Sequence, residues 1–148
     1  MPANTNPIFV LTPDRGINGG GRITGVNTSR DLSTSTANAV NIFSAGTNGS
    51  RVDSIDIMVA STGQTTSSTA SIVRIFQCTD GSYSNPRLLR EEAVGVKTIN
   101  ATTGAAAVNT ISFTTPIVLP SGYYLVATMS STPGTGLFMD VTVYGGDY

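Results

Sequence analysis

The sequence predicts an all-β chain, an antiparallel β-sandwich of about eight short strands that is jelly-roll-like in its simplest arrangement. Three observations predict it. Apolar residues alternate with polar ones at a period of two, as in RVDSIDIMVASTG, where Ile55, Ile57 and Val59 share one face and Asp56 and Met58 the other. They do not recur at spacings of three and four over any long window, and β-branched residues and glycines are spread throughout. Pro- and Gly-containing stretches such as LPSG and STPGTG separate the alternating runs and suit antiparallel connections.

Taken in order, residues 1–6 (MPANTN) have nothing to pack and read as an extended N-terminal arm, leaving residues 7–148 as one sandwich domain. A first strand is expected over residues 7–12. Residues 14–39, DRGINGGGRITGVNTSRDLSTSTANA, hold few apolar anchors and exceed the usual connection inside a compact domain, so they read as a long irregular Gly/Ser/Thr-rich loop. Strands follow at NAVNIFSAG and RVDSIDIMVASTG. In TASIVRIFQC, Val73 and Ile75 oppose Ile72, Arg74 and Phe76, so apolar residues on both faces place it in the middle of a packed sheet.

The next segment, LLREEAVGVKTI, is ambiguous, because PRLLREEAVG reads equally as one helical turn or as an edge strand. AAAVNTISFTTPIVL puts Ile111 and Phe113 on one face, and YYLVATM does the same for Tyr123, Leu125, Ala127 and Met129. In LFMDVTVYG, Leu137, Met139, Val141 and Val143 point inward while Phe138, Asp140, Thr142 and Tyr144 oppose them. With no crossover helices, a sheet of alternating βα units is not expected.

A chain of 148 residues has the size of one domain and buries roughly 70% of its unfolded surface. Eight Lys and Arg against nine Asp and Glu leave a net charge of −1, so there is no basic field to draw nucleic acid or an anionic membrane. Charged residues are 11% of the chain, where about 25% is usual, while Ser and Thr number 38 and Gly 16. Such a surface is either plain low-charge β surface or one given over to neutral contacts with neighbours, since charge is depleted at interface cores.

The single cysteine, Cys78, excludes an intrachain disulfide and reads as a buried thiol at the end of an apolar strand. No basic N-terminal region precedes an apolar core and no run approaches 18 apolar residues, so neither export signal nor membrane span is expected. The sequons at Asn27, Asn48 and Asn100 are chance products of an Asn/Ser/Thr-rich chain.

No catalytic, cofactor or metal residue is expected. Gly16 and Gly21 have the spacing of a Walker A loop, but the following Lys-Ser/Thr pair is here Arg22-Ile23, and Ile23 cannot ligate magnesium. The interval from Gly21 to Gly25 likewise departs from the dinucleotide fingerprint after Gly19. Histidine is absent, which removes the commonest general base and metal ligand. Asp53 and Asp56, three apart, point to opposite strand faces, and Glu91, Glu92 and Asp140 read as solvated or paired with Arg51, Arg74 or Arg90. A sugar platform is the more serious alternative, with Tyr83 in CTDGSYSNP as its best candidate and Tyr144 and Tyr148 behind it.

Taken together, PANTNPIFVLTP, AGTNGSRVDSIDI, PIVLPSGYYLVA and VYGGDY resemble small virion proteins found among the head and tail genes of tailed bacteriophages. The likeness is one of texture and segment order across most of the chain. It implies a non-enzymatic head decoration or cement protein on the outer surface of the head, made in the host cytoplasm, with the major capsid protein and copies of itself in a homotrimer as partners. Asn4, Arg15, Arg22 and Arg30 are then the expected assembly contacts. The alternative is a tail-associated receptor- or carbohydrate-binding module, with glycan as partner and Tyr83 as its contact.

Overall fold

The computed structural model describes residues 12–14, 19–61, 66–99 and 108–148. The arm at residues 1–6 and most of the expected first strand fall outside them. The described residues form strands β1 (Thr12–Asp14), β2 (Gly20–Ile23), β3 (Val40–Ser44), β4 (Ser50–Ser61), β5 (Thr66–Ser67) and β6 (Ser71–Cys78). They continue with β7 (Arg87–Val94), β8 (Thr98–Ile99), β9 (Asn109–Leu119), β10 (Tyr124–Met129) and β11 (Leu137–Asp147), and contain no helix.

Nine of these strands build two antiparallel sheets. One has the order β1-β11-β4-β9, with β2 also pairing β11; the other runs β3-β10-β6-β7, and β5 with β8 makes a small third ladder. β11 registers along its whole length with β4, while its other side takes β2 opposite residues 139–142 and β1 opposite residues 145–147. The all-β sandwich expected from alternation is therefore the observed architecture.

Each face predicted to turn inward does so. Ile55, Ile57 and Val59 of β4, Val73 and Ile75 of β6, Leu125, Ala127 and Met129 of β10, and Met139, Val141 and Val143 of β11 share one core between the sheets. A fully buried side chain of this size contributes roughly 1.5–3 kcal/mol, so the core carries the domain without a cross-link.

Two departures from strict alternation come from bulges. The β4 register with β11 skips Asp53, so Val52 and Ile55 both enter the core. Asp53 and Asp56 consequently both lie on the outer side, where a spacing of three predicts opposite faces. A Cβ on Gly145, opposite this bulge, would collide with the Arg51 carbonyl, so the strand crosses there on glycine. In β3, the register with β10 skips Ile42, and Ile42 and Phe43 are both buried.

PRLLREEAVG is an edge strand, β7, because pairing with β6 sends Leu88 and Leu89 to opposite faces, where each finds apolar partners. Tertiary pairing outweighs its local helical leaning. The largest difference from expectation lies within residues 14–39. GINGGGRITG, read as loop, contributes β2, and its backbone closes one side of the sandwich. A Cβ on Gly21 would stand 2.7 Å from Val40 Cγ1 and 3.1 Å from the Asn41 carbonyl of β3, so glycine is what lets the two sheets approach there.

Candidate functional site

Arg22 lies on β2 opposite Asp140 of β11. Its Nε and Nη2 donate to the two Asp140 carboxylate oxygens at 2.8 and 3.2 Å, and its guanidinium carbon stands 3.7 Å from the centre of the Phe138 ring. The Asp140 hydrogen bond raises the Arg22 pKa. Arg22 is thus anchored within its own chain, with 56% of its side chain exposed at the rim of the five-stranded sheet.

This sheet's outer face mixes small, hydroxyl, apolar and charged side chains. Ser54, Met58 and Ala60 of β4 lie opposite Tyr144, Asp140 and Phe138 of β11, and Ser54 and Asp56 face Ser112 and Thr110 of β9. The Asp56 carboxylate accepts from the Thr110 hydroxyl at 2.6 Å.

The other sheet's outer face is covered. After β2 the chain pairs Val26 with Met129 and donates the Asn27 N–H to the Met129 carbonyl at 2.9 Å. It then crosses the sheet as a strap, residues 24–39, which inserts Leu32 against Phe76, Cys78 and Val126 in a second apolar cluster. Asn27, 5% exposed, organises the crossing. Its amide donates to the Ser35 and Ala37 carbonyls at 3.0 and 2.7 Å, and its side-chain oxygen accepts from the Ser29 N–H at 2.9 Å. Both amide hydrogens being committed, the sequon at Asn27 has no room for a glycan.

Arg30 and Arg74 meet on one carboxylate beneath and beside the strap. Arg74, 5% exposed, donates to Glu91 at 2.7 Å and to the Asn27 carbonyl at 3.3 Å, and the more exposed Arg30 donates to the same Glu91 oxygen at 3.0 Å. The Arg74 hydrogen bond, with help from Arg30, lowers the Glu91 pKa. The Thr128 hydroxyl on the neighbouring strand is buried without a protein partner among the described residues.

Tyr83 sits in the 79–85 turn with φ of 65°. The turn is held by Asp80, whose carboxylate accepts from the Ser82 and Ser84 N–H groups at 2.9 and 3.1 Å. The half-buried Tyr83 ring packs on the second cluster and its hydroxyl donates to the Ala39 carbonyl at 3.3 Å. It pins the end of the strap and is not laid out as an open platform. Tyr144 lies on the outer face of β11 and Tyr148 donates its N–H to the Gly49 carbonyl.

Of the expected contacts, the structure places Arg22 on the five-stranded sheet and Arg30 in the strap over the four-stranded one, while Asn4 and Arg15 lie outside the described residues. The acids are likewise dispersed: Asp53 pairs with Arg51 at 2.7 Å and Glu92 with Arg90 at 3.7 Å. The described residues contain no group of three metal-capable side chains. Cys78 is buried, and loss of hydration, reinforced by Asp80, pushes its thiol up to about 11, which disfavours the nucleophilic thiolate. The residues missed from sequence are Asn27 and Leu32, whereas Arg74, read as an ion-pair partner, does hold Glu91; the available signal for the strap was the density of Asn, Asp, Ser and Thr, whose side chains bond nearby backbone. Compared with known proteins, the chain matches no family model and no curated relative.

Proposed function

We propose that the protein is a bacteriophage virion structural component, a capsid decoration or cement protein that binds the major capsid protein as a homotrimer on the outside of the head. The observation that carries this reading is the outer face of the five-stranded sheet: small, hydroxyl and apolar side chains between Arg22–Asp140 and Arg51–Asp53 pairs that are satisfied internally. A face whose charges are mostly paired within the chain docks on a protein lattice without leaving those pairs unmatched. The strand order, with β2-β11-β4-β9 facing β3-β10-β6-β7, supports the jelly-roll form of the sandwich. The role asks for rigid contact area and no reaction centre.

Fractionating native particles tests the proposal. Recovery with purified heads is the expected result, and recovery with tails alone, or from neither, overturns it. Occupancy on purified shells then tests the contacts, with residues 1–6 deleted or Arg22→Ala. Both changes are expected to lower occupancy, and unchanged occupancy in both sinks the assigned contacts. The placement of Tyr83 does not favour a tail-associated carbohydrate-binding role through that residue.

A further inference from the structure

At one end of the four-stranded sheet, Gln77 of β6 lies directly opposite Arg87 of β7. The two line a cleft of about 230 Å³ with Tyr123, Thr79, Asn85 and Cys78. Arg22, Arg30, Arg51, Arg74 and Arg90 each hold a carboxylate. Among the described residues, Arg87 is the arginine that holds none. The Gln77 amide and Tyr123 hydroxyl also have no hydrogen-bond partner among the described residues. Three residues whose polar groups hold no partner among the described residues therefore line one concavity.

The rim is braced. Asn85 donates its side-chain amide to the Thr79 hydroxyl at 3.2 Å, Thr79 donates its N–H to the Ser84 carbonyl at 3.0 Å, and Tyr83 and Asn85 both hold positive φ, 65° and 47°. Left-handed backbone at two non-glycine residues persists where its surroundings over-determine it, a pattern that recurs at ligand sites.

From this convergence we infer that the cleft binds a single carboxylated sugar ring, a uronate-type pyranose. The planar Arg87 fork matches a carboxylate in a two-bond arrangement. The Gln77 amide, both donor and acceptor, suits neighbouring ring hydroxyls, and Tyr123 supplies an aromatic wall with a hydroxyl tip. The volume lies below the roughly 300 Å³ at which larger ligand sites begin, which selects one ring. One cation selects one negative charge, and the nearby Asp80 carboxylate, already engaged by the turn, disfavours a dianion. The inference rests on the isolated chain and is independent of where the protein sits on a particle.

The test is a titration of the isotope-labelled full chain with glucuronate, glucose and acetate, followed by amide and side-chain NMR. Glucuronate is expected to saturate with a Kd on the order of 1 mM, shifting Gln77, Asn85 and Arg87, with glucose and acetate each at least about tenfold weaker. Arg87→Gln and Arg87→Lys are both expected to weaken glucuronate by about tenfold or more while the remaining spectrum and the Tm stay unchanged. Absence of saturation, acetate binding as tightly as glucuronate, or an affinity indifferent to both Arg87 variants overturns the assignment. Gln77→Ala gives a second arm: it is expected to weaken glucuronate while leaving acetate unaltered, and an equal loss for both ligands refutes recognition of the ring.

Discussion

The two sheets of this sandwich treat their outer faces in opposite ways. No described segment crosses the outer face of the five-stranded sheet, which is satisfied with hydroxyls, short apolar groups and the Arg22–Asp140 pair lying over Phe138. The four-stranded sheet is wrapped by the 24–39 strap, which brings Leu32 to 1% exposure and encloses Phe76, Cys78 and Val126. The difference follows from composition. β6 carries apolar residues on both faces and must be covered twice, whereas the outward residues of β4 are polar or small at most positions.

The sharpest way to break this contrast is Leu32→Ala. It removes the strap's buried anchor at a cost of about 2–4 kcal/mol, read as a lower Tm, and should speed labelling of Cys78, the chain's only thiol. Asn27→Ala should follow at about 1–3 kcal/mol, because the Ser35 and Ala37 carbonyls lose their donor; urea unfolding measures it. Thr128→Val is expected to act in the other direction. Replacing a buried hydroxyl without a protein partner by a methyl should raise stability by up to about 1 kcal/mol.

Acid should loosen the strapped face. The folded-state pKa of Glu91 is depressed, chiefly by Arg74, so its contribution is complete above the unfolded carboxylate value and is lost as pH falls through the lowered folded one. Asp31 and Asp80, lowered by hydrogen bonds from Ser33 and Ser84, act with the same sign. Cys78 labelling with a disulfide reagent active at low pH should therefore accelerate in that acid window, and a flat profile would contradict the role of Glu91. The smallest effect is expected on the open face: Asp140→Asn should leave the Tm within the scatter of the measurement, since exposed ion pairs contribute little.

How far the sequence speaks depends on whether a residue is placed by periodicity or by partners. β4, β6, β9, β10 and β11 were legible because one face of each enters the common core, and alternation records that directly. β2 was not, since Gly20 and Gly21 carry no side chain to mark a face and their place is fixed by the approach of β3. The strap was hidden for a related reason. Leu32 is a lone apolar residue in a polar run, and the segment's order comes from Asn27 bonding residues eight and ten positions away. Arg22 and Arg30 stood out as charges, but their intramolecular partners, Asp140 and Glu91, lie 118 and 61 positions away and no local pattern announces them.

The central position of β11 also governs how the chain can acquire its structure. β1 and β2 depend on it for pairing and β4 takes it along its whole length, and the Ser50 hydroxyl reaches across 97 positions to the Asp147 carboxylate that also accepts from the Gly46 N–H. Until residues 137–147 emerge, the five-stranded sheet lacks its middle and the inward face of the other sheet lacks its lid. Folding is therefore a late, largely non-local event, slow in the manner of high-contact-order β proteins, and a nascent chain halted after β10 exposes an apolar layer that invites association with its neighbours.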